Sequence, residues 1–194
     1  MRLDRYLTEA LDSPYTFKSI GRNVGFTMTN GRKYQGWSAS FVTDDGNRYE
    51  VFGYQLGFTK AERETQAKDK ELRDARRAQA EKEGRRLLKR PRNRGGLKGG
   101  IWEVHFALQD GDEDKFGITG TGDAFRVFAT VFEFVKQLAE QAEPEYVAII
   151  AKTGEGQRAK LYETLVKRKA SKLGYEYVKT VKGKESTRIE VKKK

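Results

Sequence analysis

Residues 119–124, Thr-Gly-Thr-Gly-Asp-Ala, stand between a short apolar run and a Phe- and Val-rich helical pattern. A glycine loop at a helix start presents free backbone N–H groups, and the helix dipole adds positive potential there. Gly120 and Gly122 carry no Cβ, so an anion such as a phosphate can approach the loop backbone closely. The same stretch also suits a tight turn in which Thr119 or Thr121 caps the helix and Asp123 complements its dipole. No Gly-Lys-Ser/Thr follows, so the loop is not of the Walker type. Arg158 falls in the first turn of a later helix, on the face of Leu161, Tyr162 and Leu165. An arginine on an apolar face needs a partner, and that partner is either an anion held by the loop or the carboxylate of Asp123 or Glu155.

His105 is the sole histidine and the chain has no cysteine, which excludes disulfides, thiolate metal sites and His-pair metal sites. It lies in an alternating strand with Trp102, on the face opposite Val104 and Phe106. A solvent-side position is the default there, with a general-base role as the alternative. Asp110, Asp112, Glu113 and Asp114 lack the spacing of a calcium loop and suit a solvated hairpin end. No metal site is expected.

The elements that must position these groups follow from periodicity. Residues 1–11 put Leu3, Leu7, Ala10 and Leu11 on one helical face before Asp12, Ser13 and Pro14 stop the helix. Residues 15–54 alternate and are punctuated by Asn30-Gly31 and Asp45-Gly46, the pattern of an antiparallel meander. Tyr34, Trp37, Phe41 and Tyr49 in that meander are core residues or, on an open face, stacking platforms for bases. From Thr59 to Lys89 the composition turns to Ala, Glu, Lys, Arg and Gln, with Thr59 and Glu62 spaced as a capping box. Such a helix has little to bury and is expected to project.

Beyond it, residues 101–194 predict strand, strand, helix, strand, helix, strand, strand. The second strand is KFGIT at 115–119, and the first helix spans 122–141 with one narrow polar stripe of Arg126, Thr130, Glu133 and Gln137. YVAIIA at 146–151 suits a central strand, and the second helix runs from about Gly156 to Leu173 with Gly174 as its cap.

A net charge of +11 favours a polyanionic neighbour such as DNA or RNA. Residues 60–98 hold 15 Lys/Arg against 7 Asp/Glu. Arg85, Arg86, Lys89, Arg90, Arg92, Arg94 and Lys98 fall within one stretch free of acids, suited to following phosphates without reading sequence. The alternative for this stretch is a solvated linker. No apolar run reaches the length of a membrane span, and the first residues do not resemble a signal peptide, so a membrane partner is not expected.

The order from Trp102 onward resembles the core of the GNAT acetyltransferase superfamily, carried by Gly120-Thr121-Gly122-Asp123-Ala124, Leu161-Tyr162 and Leu173-Gly174-Tyr175. That resemblance implies that the 119–122 loop holds the pyrophosphate of acetyl-CoA and that Tyr162 protonates the leaving thiolate; the parallel arrangement of the two helix starts would put Arg158 across from that loop. The chain departs from the family pattern in lacking its leading Gln/Arg and in having one residue fewer between glycine signals. A second resemblance is to a group of tailed-phage proteins, carried by Ile118 to Ala124, Val127 to Val131, Arg158 to Arg168 and Gly174-Tyr175. It implies a location in the host cytoplasm or the virion interior, with a virion or host protein as a further partner. It also suggests a capsid-targeting peptide cut after Glu9, in Leu7-Thr8-Glu9, with a plain docking helix as the alternative.

The expected architecture is α/β (α+β): a GNAT-like mixed sheet with two packed helices, an antiparallel N-terminal extension and a projecting basic helical insertion. Its parts are an amphipathic helix at 1–12, a meander at 13–58, the insertion at 59–100 and the core at 101–194, the meander and core forming one domain. Two functions are open. The first is a non-catalytic phage accessory or virion protein that touches nucleic acid or a protein through the insertion and needs no cofactor. The second is a coenzyme-A-dependent N-acyltransferase.

Overall fold

The computed structural model of the chain describes residues 13–27, 31–83, 97–108, 123–152, 156–183 and 186–194. The fold is mixed α/β. β1 (Ser19–Thr27), β2 (Lys33–Val42) and β3 (Arg48–Gly57) form the expected meander, and α1 (Lys60–Lys82) separates it from β4 (Ile101–Leu108). Then come α2 (Asp123–Ala142), β5 (Tyr146–Lys152), α3 (Gly156–Ala170), a short 3-10 turn (Ser171–Leu173), β6 (Tyr175–Lys182) and β7 (Ser186–Lys193). The described strands make one sheet in the order β1-β2-β3-β4-β5-β7-β6. Every neighbouring pair is antiparallel except β4 and β5, which are parallel.

Strand alternation divides the sheet into two unlike faces. One carries Trp37, Phe41, Tyr49, Val51, Trp102, Val104, Val147, Ile149, Ile189 and Val191, all buried beneath α2 and α3. Val127, Phe128, Val131, Phe134, Val135 and Leu138 of α2 and Tyr162, Leu165 and Val166 of α3 close this core. Trp37, Phe41 and Tyr49 are thus interior residues with no exposed ring to offer a base. The polar stripe of α2 anchors the start of the described chain. Tyr15 N–H donates to Thr130 Oγ1 at 2.8 Å, and the Arg126 guanidinium lies 4.0 Å over the Tyr15 ring and donates from Nε to Ser13 O at 3.1 Å. The second helix ends as expected, through its 3-10 turn and Gly174, whose φ is 77°.

α1 is solvated along nearly its whole length, and Leu72 is 59% exposed. Among the described residues its first turn ties it to the sheet. Glu62 Oε2 accepts Thr59 N–H at 2.8 Å while Thr59 Oγ1 accepts Glu62 N–H at 3.3 Å, which is the reciprocal capping box. Glu62 Oε1 also accepts Gly100 N–H at 2.6 Å, and Thr59 Oγ1 lies 2.6 Å from Glu145 Oε2. The Gly99-Gly100 turn is fixed by these bonds together with Gly99 N–H to Ala142 O at 2.6 Å and Trp102 Nε1–H to Gly99 O at 2.8 Å. Gly100 has φ 80°, and a Cβ there would sit 2.3 Å from Gly57 O, so only glycine fits. Among the described residues no helix is long and apolar enough to cross a membrane.

Replacing Thr59 with Ala removes one half of the capping box and the contact to Glu145. The expected cost is about 1 kcal/mol, read as a lower urea midpoint, with a loss of far-UV helical signal from α1. An unchanged helical signal would show that α1 is held elsewhere.

Candidate active site

The parallel β4–β5 ladder runs from Ile101↔Tyr146 to His105↔Ile150 and stops there. Both strands continue: β4 stays paired to β3 as far as Tyr49↔Leu108, and β5 to β7 as far as Lys152↔Ser186. Beyond that pair residues 106–108 and 151–152 have no register partner on the facing strand among the described residues, and inward-facing N–H and C=O groups that the last bridge does not use need another partner. The helices start at this same end. α3 begins at Gly156, four residues past β5, and α2 ends beside the Gly99 turn at the opposite end of β4, which puts its start here. Parallel β-α units place ligands at such a rim.

On the helix side the gap is bordered by Tyr162, 4% exposed, whose ring stacks on Phe128 at 4.8 Å and meets Phe106 edge-on at 6.0 Å. Phe106 is the first β4 residue beyond the last pair. Thr187, opposite Ala151 on β7, is fully buried, and among the described residues its Oγ1 has no hydrogen-bond partner. A buried hydroxyl left unsatisfied in a native fold calls for an explanation.

The other face holds a polar chain. Tyr54 Oη donates to Glu103 Oε2 at 2.7 Å and lies 3.0 Å from His105 Nε2. Glu103 Oε1 accepts from Arg188, whose Nε donates to Glu190 Oε1 at 2.8 Å, and Lys179 Nζ stands 3.7 Å from Glu190. Aromatic rings wall it in: His105 stacks on Phe52 at 5.2 Å, and Tyr34 packs on Tyr54 at 5.0 Å. Beside it a cavity of about 230 Å³ opens over Ile101, Tyr146 and Ala148, with Arg188 and Glu190 on its wall. Tyr54 is buried, which raises its phenol above the usual range.

His105 departs from the expectation of a solvated strand residue. Its side chain is 26% exposed and sits among aromatic rings because Phe52 and Tyr54 of β3 flank it across the ladder. Burial pushes its pKa down to about 4. Glu103 and His105 share a face by their i, i+2 spacing on β4, which the strand pattern shows. Tyr54 and Arg188 join them only through register, a signal no single stretch carries.

Of the residues singled out from sequence, the structure places Tyr162 at the gap and the backbone of Arg158 in the first turn of α3 at the same rim. The Arg158 side chain and the loop of Thr119, Gly120, Thr121 and Gly122 lie outside the described residues, as do the KFGIT strand, the acidic turn and the amphipathic start. Arg85, Arg86, Lys89, Arg90, Arg92 and Arg94 also lie outside them. Lys98 belongs to a fixed turn and forms an ion pair with Glu143 at 3.0 Å, which holds that carboxyl below its usual range. Among the described residues no cluster of His, Asp and Glu has the makings of a metal site.

The depressed pKa of His105 makes stability depend on pH. The unfolded imidazole binds a proton below about 6.5, whereas the folded one stays neutral until about 4, so stability is full above 6.5 and falls as the pH drops through that window. The loss reaches on the order of 2 to 3 kcal/mol near pH 4.5. His105→Phe keeps the stack on Phe52 and removes this component, so its urea midpoint should fall less between pH 7 and pH 4.5 than that of the parent chain. Equal falls would place the titration elsewhere. In comparisons with known proteins, no family model, no curated protein and no solved structure matches the chain.

Proposed function

We propose that the chain is a GNAT-like acyltransferase that moves an acyl group from coenzyme A to an amine. The observation that carries this reading is the parting of β4 and β5 at the rim where α2 and α3 begin, with Tyr162 beside it. The order of strands and helices, with Leu161-Tyr162 near the start of α3 and a terminal strand pair, follows the GNAT resemblance. An acyl donor of this class carries an extended, amide-bearing arm, and the unpaired backbone groups of 106–108 and 151–152 are suitable partners for such a chain. The buried Thr187 hydroxyl offers one more group at the same end. In this reading Thr119, Gly120, Thr121 and Gly122 give their N–H groups to the pyrophosphate, supported by the dipole of α2 and by Arg158. The amine attacks the thioester carbonyl, the C–N bond forms, the C–S bond breaks, Tyr162 gives its proton to the departing thiolate, and the proton shed by the amine nitrogen goes to water, from which the Tyr162 phenolate is reprotonated.

Acetyl-CoA should raise the melting temperature by roughly 5–10 °C at a concentration about a hundredfold above its Kd. Tyr162→Phe should retain that shift and lose about 100-fold in kcat. No shift at millimolar acetyl-CoA would dispose of the reading.

The solvent exposure of α1 favours a second reading. Its lysines and arginines have no apolar face to serve, and residues 84–98 add an acid-free basic stretch. In that reading the chain is a phage accessory or virion protein, working in the host cytoplasm or the virion, that touches DNA, RNA or a protein partner through the insertion. Binding to a DNA duplex should weaken steeply with salt and be lost when residues 85–98 are deleted. Affinity indifferent to salt would count against it.

A further inference from the structure

The Tyr54–Glu103–Arg188 chain fixes how His105 carries its proton. A phenol has one proton to give, and the Glu103 carboxylate, which can only accept, takes it at 2.7 Å. Toward His105, at 3.0 Å, Tyr54 Oη must therefore act as acceptor, so Nε2 carries the imidazole proton and Nδ1 keeps the lone pair. Arg188 in turn pins Glu103 from β7, held itself by Glu190. Among the described residues Nδ1 has no hydrogen-bond partner, while about a quarter of the side chain reaches solvent (26%). This is the arrangement of a base oriented by a second group that is oriented by a third.

Position gives that lone pair a use. His105 and Ile150 are the last residues paired before β4 and β5 part, and their side chains share the face away from the helices. Tyr162 borders the same gap from the helix face through Phe106, the next residue along β4. A thioester lying in the gap would have a phenol on one side and an imidazole on the other.

We propose that His105, held as the Nε2–H tautomer by Tyr54 and Glu103, receives the proton of a primary-amine acceptor that approaches from the sheet face opposite the helices. This rests on the acyl-transfer reading. As the amine nitrogen bonds to the acyl carbon, its proton passes to Nδ1 and on to water, while the electron pair of the C–S bond leaves on sulfur, which is protonated from Tyr162. Tyr54 is the positioning residue. The groups facing His105 are Tyr54 and, behind it, Tyr34 from the meander, Glu103 from β4, Arg188 and Glu190 from β7 and Lys179 from β6. Between pH 6 and 8 His105 stays neutral, so the rate should show no inflection near pH 6.5, where an ordinary histidine base would give one.

As the only histidine, His105 can be read without ambiguity from long-range 15N–1H spectra of the imidazole. The full chain should show the Nε2–H tautomer, and Tyr54→Phe should shift the balance toward Nδ1–H. A predominant Nδ1–H form in the parent chain overturns the proposal. Thiol release from acetyl-CoA, with spermidine and a lysine-bearing tripeptide as amine probes, supplies the second readout. His105→Gln can still donate to Tyr54 but offers no basic lone pair. It should lose at least 100-fold in kcat/KM while keeping the acetyl-CoA melting shift. Tyr54→Phe should lose roughly tenfold. Turnover by His105→Gln within twofold of the parent overturns the role, as does absence of turnover with either amine by a chain that does bind acetyl-CoA. A chain that shows no melting shift at all defeats the acyl-transfer reading itself, and the catalytic role with it.

Discussion

A parallel strand pair that is clamped at one end and, among the described residues, unpaired at the other is the constraint on which the rest of the molecule depends. At the closed end Gly100 O accepts both Glu145 N–H and Tyr146 N–H, at 2.9 and 3.2 Å, while Trp102 Nε1–H binds Gly99 O. Those bonds hold the starts of β4 and β5 together with the end of α2. At the open end the outer neighbours, β3 and β7, keep their own ladders to the last residues. The two halves of the sheet are thus each fully bonded outward, and the strands part only between them. A gap framed in this way is a property of the whole sheet rather than of one loose loop.

The faces on either side of the gap obey different physics. Beneath α2 and α3 the contacts are apolar and close-packed, and they set the position of Tyr162 through Phe128 and Phe106. On the far face, Glu103, Arg188 and Glu190 are largely removed from water. Such ion pairs add little net stability, because desolvation cancels much of the attraction. What they do supply is direction. Each carboxylate has an assigned donor, and the one neutral base in the cluster is left with a single orientation. The sheet's strength comes from one face and the orientation of its polar groups from the other.

Much of this organisation was legible in the residues. The meander followed from alternation and turn dipeptides, and the start of α1 from Thr59 and Glu62. The buried helix at 123–142 followed from its near-continuous apolar surface, and the cap at Gly174 from its place after Leu173. These are local signals, written within one turn or one strand. The polar network was not legible. Tyr54 lies 49 residues from Glu103, and Arg188 lies 85 residues beyond it, so their meeting depends on register across β3, β4, β5 and β7. His105 looked solvated because alternation tells which face a residue is on but not what covers that face. Lys98 looked like part of a flexible basic stretch because composition cannot reveal that the Gly99-Gly100 turn after it is held by Glu62, Ala142 and Trp102.

The first turn of α1 and the last pair of the β4–β5 ladder lie toward opposite ends of β4, and that separation bears on how the two functional readings relate. α1 is rooted by Glu62 at the clamped end of β4, and the paired stretch from Ile101 to His105 spans about 13 Å. The screening length at physiological salt is about 8 Å. Cations in the first turns of α1 are therefore largely screened from an anion bound at the open end. In the acyl-transfer reading, attraction of the coenzyme would come from the helix starts at that rim. In the binding reading, those cations would act on a separate polyanion. Binding through the insertion and chemistry at the gap are for this reason compatible in one chain: the first would fix where the protein resides, and the second what it does there.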